Sequence, residues 1–333
     1  AIMRALTRPN PEHNYSATTE INHLRTYRDA THANPEDSRN IPAVGQAGKL
    51  LLATWNIANL GVHKRRLADI KVIAEMLTWF EIVAIQEVAD NLDDFNRVLN
   101  ELPEHFDWFF NDRAGNDERA AYIFDTRRVQ LGPKIGEVVI VESDRKHVKL
   151  PGITRKFHGF NRSPLLASFT IESIDILLAN CHLLYGPSQT TAEKKASMEK
   201  RQLEAYAIAR WCDLRRKDKH AWTKTIMALG DFNLPKQEKG DPIFDALTKR
   251  GLKLPPHGTR IPTNVSDTAD YDQIAVTPGL LSKIDEIGVF DFDGAIFPSI
   301  FDANAPGYWR TCAKYYISDH RPLWMQLSLP QAP

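Results

Sequence analysis

Residues 227–233, Met-Ala-Leu-Gly-Asp-Phe-Asn, are the stretch that decides the fold. The apolar run from 225 to 229 is typical of a buried β-strand, and Gly230 ends it. Because side chains two residues apart on an extended chain point the same way, Asp231 and Asn233 share one face while Phe232 points into the core. A turn explains the same residues equally well, since Asp and Asn often cap turns. The pattern therefore predicts a buried strand ending in either a turn or a polar site.

Similar polar clusters follow other apolar strands. Taken singly, each is explained by a turn, a surface charge or a buried histidine, but their recurrence predicts a shared site. Oxygen ligands of mixed charge suit Mg²⁺ or Mn²⁺, whereas no His or Cys is spaced for zinc. The five clusters are Trp55-Asn56, Gln86-Glu87, Asn180-Cys181-His182, Gly230-Asp231-Phe232-Asn233 and Ser318-Asp319-His320.

The composition is that of an ordinary globular protein. Of 333 residues, 43% are hydrophobic and 25% charged, and the formal net charge is zero, so any attraction for a polyanion must be local. Three unspaced cysteines argue against a disulfide framework and favour a reducing compartment. We expect a monomer with no membrane partner, in the cytoplasm, with secretion open if a leader was removed.

The chain divides at residue 49. Residues 1–48 are polar, contain four prolines and predict an N-terminal extension, whereas 49–330 predict one catalytic domain of alternating strands and helices. Strands are predicted at 50–57, 82–86, 120–125, 136–141, 165–171, 175–180, 225–229, 273–276 and 322–327. Helices are predicted at 20–30, 64–79, 92–102, 192–217 and from Pro242 to a stop at Gly251. Some strands lack room for a crossover helix, so the predicted class is an α/β sandwich of mixed sheets.

Over residues 49–329 the ordered motifs resemble those of the endonuclease/exonuclease/phosphatase superfamily, the deoxyribonuclease I-like fold. The resemblance implies a four-layer α/β sandwich of two mixed β-sheets flanked by helices, and divalent-metal-dependent hydrolysis of a phosphate ester. The motifs are Thr54-Trp55-Asn56-Ile57, Ile85-Gln86-Glu87-Val88, Arg162 with Pro164, Asn180 with His182, Gly230-Asp231-Phe232-Asn233, Tyr271-Asp272-Gln273-Ile274 and Ser318-Asp319-His320.

The resemblance also implies roles for individual residues. Asn56, Glu87 and Asp319 correspond to positions around the metal. His182, Asp231, Asn233, Asp272 and His320 correspond to catalytic positions, and Arg162 and Asn180 to substrate-binding positions. Glu118 aligns with a glutamate that supports the first catalytic histidine. The sequence departs from deoxyribonuclease-like members at Ala89, where they carry an arginine, so one DNA contact is missing.

The chemistry of these residues is consistent with the resemblance. Hydrolysis of a phosphodiester builds negative charge on phosphate oxygens, which a metal and donors such as Asn233 and His182 stabilise. Either Asp231 or His320 can take the proton of the attacking water, and the sequence leaves both open. Asp272 beside His320 would hold the imidazole tautomer.

A basic segment precedes Arg162. Between residues 144 and 156 five basic residues face one acidic residue, and aromatic residues follow. Such a loop is typical either of a solvated surface or of a grip on a nucleic-acid backbone. Lys146, Arg155 and Lys156 are therefore candidate substrate-binding residues.

We therefore expect a Mg²⁺- or Mn²⁺-dependent phosphodiesterase acting on nucleic acid, DNA rather than RNA, as an endonuclease of low base specificity. The alternative is a phosphatase or phospholipase C-type hydrolase of the same superfamily, acting on inositol phosphates or sphingomyelin. A catalytically inactive binding module is a third reading, and the intact set of polar residues argues against it.

Overall fold

The computed structural model describes residues 5–30, 39–172 and 174–329. Its strands are β1 Lys49–Leu60, β2 Ile82–Ala89, β3 Phe106–Phe110, β4 Glu118–Asp125, β5 Val129–Glu137, β6 Leu165–Ile171, β7 Ile174–His182, β8 Ile226–Asp231, β9 Asp272–Val276, β10 Ile284–Val289 and β11 Leu323–Ser328. Its α-helices are α1 Ala17–Asp29, α2 Leu67–Leu77, α3 Asp93–Glu101, α4 Glu142–Arg145, α5 Thr191–Lys217, α6 Pro242–Thr248 and α7 Gly307–Tyr316. No helix among the described residues is long and apolar enough to cross a membrane.

The strands form two mixed sheets. The first sheet has the order β10-β11-β1-β2-β4-β3 and the second β5-β6-β7-β8-β9. In each, a parallel pair (β1 with β2, β7 with β8) lies among antiparallel neighbours. A parallel pair needs a crossover, which the chain supplies as α2 and α5.

Successive side chains of the central strands point alternately into two different cores, and this produces the layers. In β1, Leu50 and Leu52 pack in the core between the sheets, whereas Leu51 and Ala53 pack on the other face with α2. The residues of β8 alternate in the same way between the inter-sheet core and the core under α5 and α6. Because side chains of a strand point alternately to its two faces, a strand buried on both faces reads as a continuous apolar run. The predicted four-layer α/β sandwich is therefore confirmed.

The sequence prediction was wrong at edge strands. The strand predicted at 136–141 is β5, Val129–Glu137, and its pairing with β6 shifts register between Leu131 and Ile135, on either side of Pro133. Proline is tolerated there because β5 is at an edge. The edge strands β3 and β10 were not predicted, since half-exposed strands lack the apolar run that marked the central ones. Helix α7 was also missed, because Pro306 and Gly307 give it no side-chain cap.

The described part of the N-terminal segment packs on the outer face of the first sheet. Leu24 of α1 is fully buried in the core that contains α2, and Tyr15 Oη donates to Asp69 Oδ1 at 2.5 Å. Residues 1–4 and 31–38 of the predicted extension, and residues 173 and 330 of the predicted domain, lie outside the described residues. The division into 1–48 and 49–330 stays a prediction.

Candidate active site

Three neighbouring strands of the second sheet place polar side chains side by side. In the parallel pairing of β7 with β8, His182 is opposite Asp231, and in the antiparallel pairing of β8 with β9, Asp231 is opposite Asp272. All three are less than one-tenth exposed. The sheet register alone therefore aligns a histidine and two carboxylates across one end of the sandwich.

The end of β8 is both a turn and part of this cluster. Asp231 Oδ1 accepts from the backbone N–H of Asn233 at 2.7 Å, while Oδ2 accepts from Asn56 Nδ2 at 3.0 Å. Phe232 is fully buried, as the alternation predicted. Gly230 has φ 136°, and a Cβ there would lie 1.9 Å from the carbonyl oxygen of Cys181, so only glycine lets β8 approach β7 this closely.

His320, in the segment leading to β11, completes one side of the cluster. Its Nδ1 lies 2.8 Å from Asp272 Oδ2, and its Nε2 lies 3.8 Å from Asp231 Oδ2. Ser318 Oγ accepts from the His320 backbone N–H at 3.0 Å, and the indole N–H of Trp55 donates to the His320 carbonyl at 2.9 Å. The ring is therefore fixed with Nδ1 toward an acceptor and Nε2 toward the centre of the cluster.

His182 occupies the other side. Its Nε2 lies 3.5 Å from Asp231 Oδ2, and its Nδ1 lies 2.5 Å from Glu118 Oε1. Arg162 Nη1 lies 3.2 Å from the other oxygen of Glu118, and Arg162 also donates to the carbonyls of His182 and Leu183. One oxygen of Asp231 thus faces both histidines, each of which has a carboxylate behind it.

Asn56 and Glu87 come from the first sheet. Glu87 sits where the pairing of β2 with β4 shifts register, at φ 62°, a left-handed conformation that non-glycine residues rarely adopt. Asn56 Nδ2 donates to Glu87 Oε1 at 3.1 Å, and the backbone N–H of Asn59 donates to Oε2 at 2.9 Å. Strain of this kind persists where surrounding bonds hold it, often at functional sites.

The residues fit a divalent cation. Asn56 Oδ1 is buried and has no hydrogen-bond partner among the described residues. A carbonyl oxygen without a donor, beside carboxylates, is a group that a hard cation binds. Within the described ranges, ligand atoms of Glu87, His182 and Asp231 lie within 4.8 Å of one another, as do those of Asp231, Asp272 and His320.

Asp319 lies at the edge of this arrangement. Its Oδ1 is 4.0 Å from His320 Nε2, its side chain is 36% exposed, and it belongs to neither of the two groups of potential ligands. Its role as a metal ligand stays a prediction.

Burial and charge shift the pKa values in a consistent pattern. Burial raises the pKa of Glu87, whereas for Asp231 the two histidines outweigh burial and lower the pKa. Burial raises the pKa of Asp272 to about 6 although His320 opposes it. Burial lowers the pKa of both histidines, but their carboxylate neighbours outweigh it, so the pKa of each is raised, that of His320 strongly. Asp231 is therefore an ionised carboxylate between two basic imidazoles.

Two predicted substrate-binding residues are buried and bonded within the protein. Asn180 Nδ2 donates to the carbonyls of Ile85 and Ala121, both at 3.0 Å, and its Oδ1 accepts from Gln86 Nε2 at 2.7 Å. Asn180 thus joins the two sheets, as Arg162 joins Glu118 to the end of β7. Their role in binding substrate stays a prediction, and these contacts favour positioning instead.

The predicted basic residues lie outside the cluster. Lys146, Arg155 and Lys156 are exposed, and Arg155 Nε lies 3.5 Å from Glu199 Oε2. Arg155 and Lys156 line a cavity of about 240 Å³ that Leu184, two residues after His182, also lines. The buried Glu204 ties the two segments together by accepting from the backbone N–H groups of Asn161 and Leu184.

Sequence reasoning missed one residue of this region entirely. Arg201, on α5, is buried and donates to the carbonyls of Leu184, Tyr185 and Asn233. Glu199 and Glu204 alternate with basic residues around it, a pattern typical of a solvent-facing helix, so only its position on the buried face of α5 would signal its role.

Comparison with known proteins identifies the fold. No protein-family model and no curated protein sequence matches the chain significantly. A crystal structure of an endonuclease/exonuclease/phosphatase family protein from Bacteroides thetaiotaomicron is similar with a TM-score of 0.54 and 17% identity, over 85% of this chain and 95% of that one. The mannosyl-6-phosphatase Bt3783 of B. thetaiotaomicron VPI-5482 is similar with a TM-score of 0.53 and 18% identity, over 84% and 99%.

A humanized D. rerio TDP2 also has this fold, with a TM-score of 0.52 and 15% identity, over 84% of this chain and 99% of that one. The chain therefore has the fold of the endonuclease/exonuclease/phosphatase proteins, the class that its motifs resemble.

Proposed function

We propose that this protein is a divalent-metal-dependent phosphodiesterase that cleaves nucleic acid, DNA rather than RNA, as an endonuclease of low base specificity. One observation carries the proposal: a single oxygen of Asp231 faces Asn56, His182 and His320 at once, at the junction of the two sheets. An ionised carboxylate between two imidazoles suits proton transfer beside a phosphate.

Different residues of the site would take different parts in the reaction. Asn56, Glu87 and Asp319 would hold a Mg²⁺ or Mn²⁺ ion, which when bound neutralises charge on the phosphate. Asp272 holds Nδ1 of His320, which leaves Nε2 free to take or give a proton. Asp231 and His320 both remain candidates for the base, and His182 and Asn233 for donors to phosphate oxygens.

A substitution of Glu87 tests directly whether this residue binds the metal. Glu87→Gln removes a charged ligand but keeps the shape and one acceptor, so metal affinity and turnover should fall together. Metal affinity is measured by calorimetric titration, and turnover on plasmid DNA with Mg²⁺ and with chelator. Asp285→Asn, on the edge strand β10, is the control. Unchanged metal affinity in Glu87→Gln would remove Glu87 from the metal site.

The basic segment supports a nucleic-acid substrate. A protein of zero net charge holds a polyanion through a local patch. The exposed Arg155 and Lys156 line a cavity with Leu184, just after β7, and Lys146 is exposed in the same basic segment. Each lost phosphate contact lowers the slope of log affinity against log salt by about 0.7–0.9. The triple alanine variant should therefore lower that slope by roughly two to three.

The matched control replaces three other basic residues. Lys219, Lys253 and Lys283 lie near strand ends away from Asp231, and their triple alanine variant changes net charge equally. Its salt slope should equal that of the parent. Equal salt slopes in the parent and in both triple variants would show that the basic segment does not bind the nucleic-acid backbone.

A phosphatase acting on a compact phosphate ester is the second candidate. The similar structure of a mannosyl-6-phosphatase favours it. A panel of plasmid, single-stranded DNA, RNA, mannose 6-phosphate, inositol phosphates and sphingomyelin separates the candidates. Hydrolysis of a small ester with no cleavage of any nucleic acid, at any salt concentration, would overturn the nuclease proposal in favour of this one.

A further inference from the structure

Tyr185 is an exposed aromatic side chain on the turn between β7 and α5, three residues after His182. Its side chain is 51% exposed, whereas most large apolar side chains of this region are buried. A single exposed ring is common on protein surfaces, so the significance of Tyr185 depends on what holds it and what lies beside it.

The turn that carries Tyr185 is held in place. Arg201 donates from Nε to the carbonyl of Leu184 and from Nη2 to that of Tyr185, both at 2.7 Å. Gly186 follows at φ 79°, and a Cβ there would lie 2.3 Å from Ser197 Oγ. Ser197 Oγ in turn donates to the carbonyl of Pro187 at 2.7 Å. The exposure of Tyr185 is therefore built into a rigid turn.

The same arginine places Tyr185 beside the catalytic cluster. Its Nη1 donates to the carbonyl of Asn233 at 2.9 Å, so one guanidinium binds the backbones of both residues. Asn233 Nδ2 also donates to the carbonyl of Leu183, two residues before Tyr185, at 2.8 Å. Burial raises the pKa of Tyr271, and the neighbouring Tyr185 and Asp231 raise it further, which agrees with the proximity of the three side chains.

The ring itself is oriented. The Arg201 guanidinium carbon lies 5.1 Å from the centroid of the Tyr185 ring, within cation–π distance. The guanidinium lies over one face of the ring and the residue is half exposed, so the opposite face is the one that a flat ligand would contact. The preceding residue, Leu184, lines the cavity of Arg155, Lys156 and Lys200, so cationic side chains able to bind a further phosphate lie next to the turn.

We propose that Tyr185 is a stacking platform for the base of the nucleotide that carries the scissile phosphate. The proposal rests on the proposed function, since only a nucleic-acid substrate presents a base there. Every base has a π-face, so stacking binds without selecting sequence, in keeping with low base specificity. Tyr185 is thus a specificity-determining residue for nucleotides over other phosphate esters.

Two esters with the same leaving group test it. Thymidine 5′-phosphate p-nitrophenyl ester carries a base, and methyl p-nitrophenyl phosphate does not. In Tyr185→Ala the ratio of kcat/KM for the first ester over the second should fall about five-fold to a hundred-fold. Tyr185→Phe keeps the ring and should keep the parent ratio. Phe301→Ala removes a side chain of equal exposure, 53%, at a different surface, and should also keep it.

The outcomes separate the two proposals. A parent enzyme that cleaves the nucleoside ester, with an unchanged ratio in Tyr185→Ala, overturns the platform and leaves the proposed function standing. Equal losses on both esters also overturn it, because they indicate damage to the catalytic cluster. A parent that hydrolyses mannose 6-phosphate but neither nucleic acid nor the nucleoside ester overturns both.

Discussion

His182 and His320 each pair with a carboxylate from the opposite sheet, yet the two carboxylates have different surroundings. Glu118 contacts Arg162 as well as His182, and although burial raises its pKa, His182 and Arg162 outweigh burial and lower it. Asp272 forms no ion pair with an arginine or lysine among the described residues, and burial raises its pKa to about 6.

The difference teaches that the same pairing serves two purposes. With a permanent cation behind it, Glu118 is a fixed anion that anchors the His182 ring and the end of β7. Without one, Asp272 has His320 as its neighbour at 2.8 Å, so the titrations of the two groups are coupled. We therefore propose that proton transfer takes place on the His320 side, and that Glu118 and Arg162 position His182 as a donor to the phosphate.

The largest expected effect follows from removing the charge of Asp272. Asp272→Asn should lower kcat about 10²- to 10⁴-fold, because His320 loses the anion that fixes its tautomer and stabilises its charged form. The thermal midpoint should change little, and kcat is measured on plasmid DNA or the best substrate of the panel. A variant with normal kcat would show that Asp272 takes no part in the reaction and that the two histidine–carboxylate pairs do not differ in the way proposed.

Removing Arg162 should make the surroundings of Glu118 resemble those of Asp272. Arg162→Met should lower the free energy of unfolding by about 3 kcal/mol, because the buried Glu118 loses its permanent cation and keeps only His182 as a partner. In the double variant with Glu118→Gln the combined cost should be smaller than the sum of the two single costs. Urea unfolding measures both, and Arg113→Met, at an ion pair whose arginine is 55% exposed, is the control. A raised KM with unchanged stability would instead support the predicted contact of Arg162 with a substrate phosphate.

A smaller effect is expected from Glu118→Gln alone. The amide can still bond His182 Nδ1, so the ring keeps its orientation and loses only the neighbouring charge. Loss of such a supporting partner typically costs about 10- to 100-fold in activity. The kcat ratio of Glu118→Gln to Asp272→Asn is the readout, and a ratio below one would reverse the assignment of the two sides.

The smallest effect is expected where the sheets are joined without a histidine. Asn180→Ala removes three hydrogen bonds and should lower the free energy of unfolding by about 1–2 kcal/mol, with kcat within about three-fold of the parent. Denaturant unfolding and kinetics are measured on the same preparation. Normal stability with a raised KM would return Asn180 to the predicted role in substrate binding.

The central fold could be predicted because its strands are buried on both faces. β1, β6, β7 and β8 are continuous apolar runs, and their predicted bounds differ little from those observed. The edge strands were harder: β5 contains a proline and a register shift, which depend on its neighbour and not on its own periodicity.

The site was predictable where its residues lie at the ends of predicted strands. Asp231 and Asp272 end or begin strands, so their meeting follows from pairing once the sheet is known. The surroundings of Arg162 and Asn180 were not predictable, because a long or amide side chain can turn to solvent or to a buried carbonyl, and local sequence does not say which. Arg201 was missed for the same reason.

Each histidine–carboxylate pair takes one member from each sheet, and this has a consequence for how the protein reaches its working state. Glu118 belongs to the first sheet and His182 to the second, while Asp272 belongs to the second and His320 leads into the first. A folding species with both sheets formed but not yet packed face to face would contain every residue of the candidate site and no assembled site. The rate at which activity recovers during refolding therefore reports the rate at which the two sheets pack together. The formation of the strands themselves can be measured separately and should come earlier.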